Sequence, residues 1–201
     1  MRKQIISIAC MAVMLFFASQ AAFAGDAGKV GLGLRVGYAG YAGDTVDGVK
    51  LDPGGAAFYG ANLTYFFAKD WAVEGAVEYC KAQVDAKASG VTQDIGDLTQ
   101  IPILLTVRYQ PTVGAWMPYV GLGTGYYIND LSAKDSKDDP NLEDKFGFLV
   151  NCGTEYMVNA NNSLGLDLRY TWNSTKDKDT AGSPSFDLNA FQASFGWKYY
   201  F

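Results

Sequence analysis

The sequence predicts an all-β fold, an eight-stranded antiparallel transmembrane β-barrel built as an up-and-down meander. Three observations predict it. First, eight segments alternate large apolar residues with small or polar ones at period two, which is strand and not helix periodicity. Second, the connections between them run long, short, long, short, long, short, long, as in a barrel with tight turns on one side of a membrane and loops on the other. Third, the last stretch, Leu188 to Phe201, sorts by face. Phe191, Ala193, Phe195, Trp197, Tyr199 and Phe201 share one face; Ala190, Gln192, Ser194, Gly196, Lys198 and Tyr200 share the other. A soluble sheet would rarely leave so many aromatics on one face of its last strand, whereas a strand between lipid and a polar lumen would.

The chain begins with a basic Met1-Arg2-Lys3, an apolar run from Ile5 to Ala18 broken only by Ser7, and Ala22-Phe23-Ala24 before Gly25. This reads as a cleaved secretory signal peptide over residues 1–24, followed by one domain, the barrel, over residues 25–201. The apolar run is short of the roughly 20 residues that a spanning helix needs. Cys10 sits too early in that run for a lipidation site. The formal charge of −5, less Arg2 and Lys3, leaves about −7 on the mature chain. That balance argues against nucleic acid as a partner. The 14% aromatic content with 23 glycines suits β-structure in lipid.

The predicted strands follow in order. Val30 to Tyr41 puts Val30, Leu32, Leu34, Val36 and Tyr38 on one face, with Arg35 and the glycines on the other. Ala42 to Gly55 is a loop rich in Gly, Asp and Pro. Ala57 to Phe67 alternates around outward Tyr59, Leu63, Tyr65 and Phe67; Ala68-Lys69-Asp70 turns the chain into Trp71 to Lys81, where Glu74, Glu78 and Cys80 point inward. Ala82 to Asp97 reads as a long polar loop. Leu98 to Tyr109 carries outward Ile101, Ile103, Leu105 and Val107, with Pro102 and Arg108 inward. A short connection leads to Pro118 to Ile128, whose inward face is Tyr119, Gly121, Gly123, Gly125 and Tyr127. Asn129 to Asp144 is long and acidic. Lys145 to Met157 places Cys152 outward and Glu155 inward, so Cys80 and Cys152 face opposite sides of the wall and form no disulfide. Val158 to Asn162 turns into Leu164 to Asn173, with Asp167, Arg169 and Thr171 inward, and a loop over Ser174 to Asp187 precedes the final strand.

The inward set holds eight charges: Arg35, Glu74, Glu78, Arg108, Glu155, Asp167, Arg169 and Lys198. A charge facing mid-membrane lipid costs roughly 2–4 kcal/mol, so this segregation supports the register. Four positive and four negative charges predict ion pairs in a polar lower and middle lumen. Nearer the loops the inward residues are apolar or small: Tyr41, Phe58, Pro102, Gly125, Tyr127, Leu149 and Leu188. They predict an oily cavity above a charged plug, or else glycines that only relieve crowding where inward side chains meet; eight strands leave no room for a continuous aqueous pore. Pro102 removes a ladder N–H within a spanning strand, which fits either a bulge near the loop or a weak seam in the wall. The chain has no histidine, the usual general base, and no nucleotide-binding loop. No catalytic residue, metal site or cofactor is predicted.

At these residues the chain resembles the OmpW/AlkL family of small outer-membrane barrels. The likeness is carried by Leu63-Thr-Tyr-Phe-Phe-Ala-Lys-Asp-Trp71-Ala-Val-Glu74, by Asp97 to Tyr109 followed by Pro118-Tyr-Val-Gly-Leu-Gly-Thr-Gly125, and by Gly153 to Tyr156 and Leu164 to Tyr170. The family pattern has Leu-Pro-Pro where this chain has Thr99-Gln100-Ile101-Pro102, so one proline carries over. The resemblance implies a bacterial outer-membrane location and passive passage of small hydrophobic solutes, with sideways exit into the membrane. It also implies outer-membrane lipid and lipopolysaccharide as surroundings. Trp197, Tyr199 and Phe201 are then the signal that the barrel assembly machinery reads. The alternative is a structural or surface-interaction barrel of OmpA or OmpX type, with a solid core and working loops. In it, the acidic stretch Asp130 to Asp144 could bridge to lipopolysaccharide through divalent cations.

Overall fold

The computed structural model describes residues 26–42, 44–46, 49–88, 91–133, 144–175 and 186–201. The predicted signal peptide and residues 134–143 of the acidic stretch lie outside the described residues. The strands are β1 (Val30–Tyr41), β2 (Asp44–Val46), β3 (Val49–Pro53), β4 (Ala56–Ala68), β5 (Trp71–Ala88), β6 (Val91–Tyr109), β7 (Trp116–Ala133), β8 (Lys145–Met157), β9 (Asn162–Trp172), β10 (Ser174–Thr175), β11 (Phe186–Asp187) and β12 (Ala190–Tyr200). The eight long ones, β1, β4 to β9 and β12, pair antiparallel in that order. The β1–β12 ladder, from Gly31↔Tyr200 to Tyr41↔Ala190, joins first strand to last and closes the barrel. Closure leaves no unpaired edge in the membrane, where an unsatisfied backbone group is costly.

The predicted faces are observed. Leu34, Val36, Leu122, Phe148 and Leu166 stand exposed outside, while Arg35, Asn62, Glu74, Arg108, Glu155 and Lys198 are buried inside. Val30 departs from its expected outward face and is buried at the strand's start. Cys80 is buried in the lumen and Cys152 is exposed on the outer wall, as their registers require. Two aromatic bands ring the outside. Trp71 packs on Tyr109, Trp116 on Tyr156 and Tyr199 on Phe201 toward the short turns. Tyr59 packs on Tyr79, Tyr126 on Phe146 and Tyr170 on Trp172 toward the loops. Amphipathic rings at both levels mark the two membrane interfaces.

All four long connections carry some strand where loop is expected, Ala82 to Asp97 most of all. Ala82 to Asp97 is not a loop: β5 and β6 continue as a paired hairpin to Ala88↔Val91, with a bulge where Val84 pairs Gly96 and Asp85 pairs Asp94. β3 adds to its edge, from Lys50↔Lys87 to Pro53↔Val84, and β2 pairs β3. Above the membrane a strand no longer needs an oily outer face, so the ladder persists while the hydrophobic signal that would reveal it fades. The short turns fall where the sequence puts them. Asp70 takes a left-handed conformation (φ 62°) in the first, as does Gly114 (φ 63°) in the second. In the third, Asn159 Oδ1 accepts from the N–H groups of Asn161 and Asn162.

Candidate functional site

The lumen has two layers. The eight inward charges form a single network. Arg35 reaches Glu74 (3.1 Å) and Glu78 (2.7 Å), which lie one above the other on β5. Arg108 contacts the same Glu74 (2.5 Å), and Lys198 bridges Glu74 (3.2 Å) to Glu155 (2.6 Å). Arg169 ties Glu78 (2.9 Å) to Asp167 (3.3 Å). The two tiers that sequence height suggests are thus one plug, because the long Arg35 side chain spans both.

Neutral groups complete it. Tyr119 OH and Asn151 Nδ2 each donate to Asp167 at 2.8 Å, Tyr200 OH and Ser163 Oγ donate to Glu155, and Lys198 donates to Thr64. Arg108 also stacks 4.4 Å above the Tyr119 ring. Buried charges persist only when paired and hydrogen-bonded in this way. A cavity of about 30 Å³ lies among Arg35, Asn62, Arg108, Tyr119 and Lys198. That is room for a water molecule or two and for no organic solute.

Above the plug the predicted apolar residues do come together, but as packed clusters. Phe58 packs with Ala39, Ala56, Cys80 and Ala82, with half-buried Tyr41 against them. Tyr127 and Leu149 pack with Ala76 and Leu104. Leu188, just before β12, is buried as well, and Pro102 faces inward opposite Tyr127. The glycines expected to line an open cavity instead make room for neighbouring rings. A Cβ at Gly37 would lie 2.7 Å from Phe58. At Gly125 it would lie 2.6 Å from Leu104 and 2.9 Å from Tyr127. The expectation of an open oily cavity is therefore corrected to an apolar layer closed by side chains.

Polar neighbours absent from the sequence-derived set share this layer. Gln100 Nε2 donates to Asn129 Oδ1 (2.9 Å), Tyr41 OH lies 3.3 Å from Gln100 Oε1, and Arg169 donates to Gln192 Oε1 (3.2 Å). Thr171 and Asn173 are also buried there. Strand alternation places Gln100, Gln192 and Thr171 on this inward face, and Asn173 follows the same parity.

The wall has one interruption at the junction of the two layers. The β5–β6 pairs run through Val77↔Ile103 and resume at Cys80↔Gln100, leaving Glu78 and Tyr79 across from Pro102 and Ile101 without bridging pairs. On its other side Pro102 keeps its pairing with Tyr127 of β7. A proline has no N–H to donate, so the gap falls on the strand pair that its missing donor faces. The register is unshifted across the gap, so Pro102 does not sit in a bulge; two pairs are missing from the ladder there.

The C-terminal Trp197, Tyr199 and Phe201 all face outward, on the strand that closes the barrel. The Phe201 N–H donates to the Val30 carbonyl at 2.9 Å, fastening the end of the chain to its first strand.

Comparison with known proteins agrees with this architecture. No curated protein matches the chain in sequence. Among solved structures, OprG of Pseudomonas aeruginosa superposes with a TM-score of 0.66 at 23% identity, covering 88% of this chain and 97% of that one. The outer membrane protein AlkL gives 0.65 at 20% identity, over 92% and 95%. Outer Membrane Protein W of E. coli gives 0.57 at 18%, over 88% and 99%. At such identities the likeness is one of fold. The family model for the outer membrane protein beta-barrel domain matches residues 8–199. The chain therefore belongs to the outer membrane protein beta-barrel domain family and is a barrel of the bacterial outer membrane.

Proposed function

We propose that this barrel is a passive channel of OmpW/AlkL type for small hydrophobic molecules, which enter the upper lumen from outside and leave sideways through the wall. The observation that carries the reading is the gap in the β5–β6 ladder at Pro102. It lies where an apolar layer meets an ion plug. An oily molecule that reaches the plug meets eight paired charges and a void too small to hold it. The seam beside Tyr127 opens onto hydrocarbon, where the molecule is more stable. Entry requires the packed rings of Phe58 and Tyr127 to swing aside.

The test is protein-dependent uptake of a hydrophobic fluorescent probe by cells with intact outer membranes. Pro102→Ala restores the missing N–H and should knit the seam, so uptake should fall severalfold at equal levels of folded, heat-modifiable protein. Unchanged uptake in that variant would remove the lateral route. The close packing around Gly125 favours the second reading, a solid-core structural barrel, and the absence of any protein-dependent uptake would establish it.

A further inference from the structure

The layer above the plug is not uniformly oily, and among the described residues the Tyr127 hydroxyl and both side-chain polar atoms of Asn173 have no hydrogen-bond partner there. Gln100 and Asn129 satisfy each other, Gln192 accepts from Arg169, and Thr171 Oγ1 donates to the Ala190 carbonyl. Asn173 has only its backbone engaged. Its N–H donates to Asn189 Oδ1 (3.1 Å) and its carbonyl accepts from the Leu188 N–H (2.8 Å). Among the described residues neither Oδ1 nor Nδ2 of its side chain has a hydrogen-bond partner, although the residue is only 4% exposed.

The position is specific. A Cβ placed at Gly147 would sit 2.9 Å from the Tyr127 ring and 3.4 Å from Asn173 Cβ, so Asn173 and the ring that faces Pro102 both border the space over Gly147. Leu188, buried and bonded to the Asn173 carbonyl, flanks it. A buried, unsatisfied amide is costly to keep, and its backbone anchors hold it in place rather than letting it turn to water.

We infer that Asn173 is the docking group for the polar head of the transported molecule, and that this head is uncharged. The inference rests on the channel reading and names its solute class: small amphiphiles with one neutral hydrogen-bonding group, such as a medium-chain alcohol, ketone or ester. A carboxamide both donates and accepts, so it fits a hydroxyl or a carbonyl equally. A carboxylate or ammonium head would have to shed its water beside a neutral amide, above a plug whose charges are already paired. An alkane would leave the amide unpaired. The tail of a neutral amphiphile would lie along Tyr127 and Leu188.

The experiment is competition against protein-dependent uptake of the fluorescent probe by n-octane, 1-octanol and octanoate, which share a chain length and differ at the head. In the wild type, 1-octanol should inhibit at about a tenfold lower concentration than either of the others, the size of one net hydrogen bond. In the uptake that remains, Asn173→Leu should bring 1-octanol and n-octane together, and Asn173→Ser, which keeps a neutral hydroxyl, should preserve the preference. Equal inhibition by all three in the wild type overturns the assignment and leaves the channel standing. A preference that survives Asn173→Leu overturns it too. A complete lack of protein-dependent uptake instead overturns the channel reading beneath it.

Discussion

Glu74 holds the plug together more than any other residue. Its carboxylate faces Arg35, Arg108 and Lys198 at once and accepts from Thr64. Glu74→Gln keeps the shape and removes the charge, leaving three buried cations short of a partner. We expect it to lower the free energy of unfolding by about 3–5 kcal/mol, measured by urea denaturation of the refolded barrel in micelles. Lys81→Met, which breaks the solvent-exposed pair of Lys81 with Asp97, should leave the same curve in place. Equal effects would contradict a structural role for the buried network. All eight members were readable from sequence, because inward parity and the cost of charge in lipid pick them out. Their pairing was not, since it depends on how far Arg35 and Lys198 reach across the lumen. Asn173 follows the inward parity of its strand, but parity does not say that its amide is unpartnered in the upper layer, which only the three-dimensional structure shows.

At the scale of elements, period two located the spanning part of every barrel strand, and β1 and β8 begin and end at the expected residues. It failed where β5 and β6 rise out of the membrane as far as Ala88 and Val91, because alternation reports lipid on one face and not the ladder itself. Pro102 shows the complementary limit. The residue is visible in the sequence, but which neighbour loses its hydrogen bond follows only from the register. The closing strand carries its own prediction. Phe201 donates to Val30 and packs on Tyr199, so its deletion loosens the β1–β12 closure and trims the aromatic end that we propose the assembly machinery reads. We expect folded, heat-modifiable protein in outer membranes to fall severalfold. Wild-type levels of the deletion variant would show that the terminal ring is dispensable for assembly.

The whole molecule is a short closed cylinder whose floor is ionic, whose upper layer is apolar with a few neutral polar groups, and whose wall is interrupted where the two meet. Each part alone has a bland explanation: the ions rigidify, the apolar side chains fill space, the proline is tolerated. On the channel reading we propose, their stacking leaves an oily molecule entering from above no route but sideways. Barrel class and strand count were legible because lipid imposes them on every second residue. The closed state of the upper layer was not, because glycine in a sequence marks missing volume without saying whether a solute or a neighbouring ring fills it, and here Phe58 and Tyr127 fill it.

The most direct test of sideways exit is to lock the seam. In a variant with Cys80→Ser and Cys152→Ser, Tyr79→Cys and Ile101→Cys place two thiols across from each other on the unbridged stretch of β5 and β6. Uptake of the hydrophobic probe should drop when the disulfide forms and recover when a reductant opens it, with the barrel folded throughout. Uptake that is the same in the oxidised and reduced forms would contradict passage between β5 and β6.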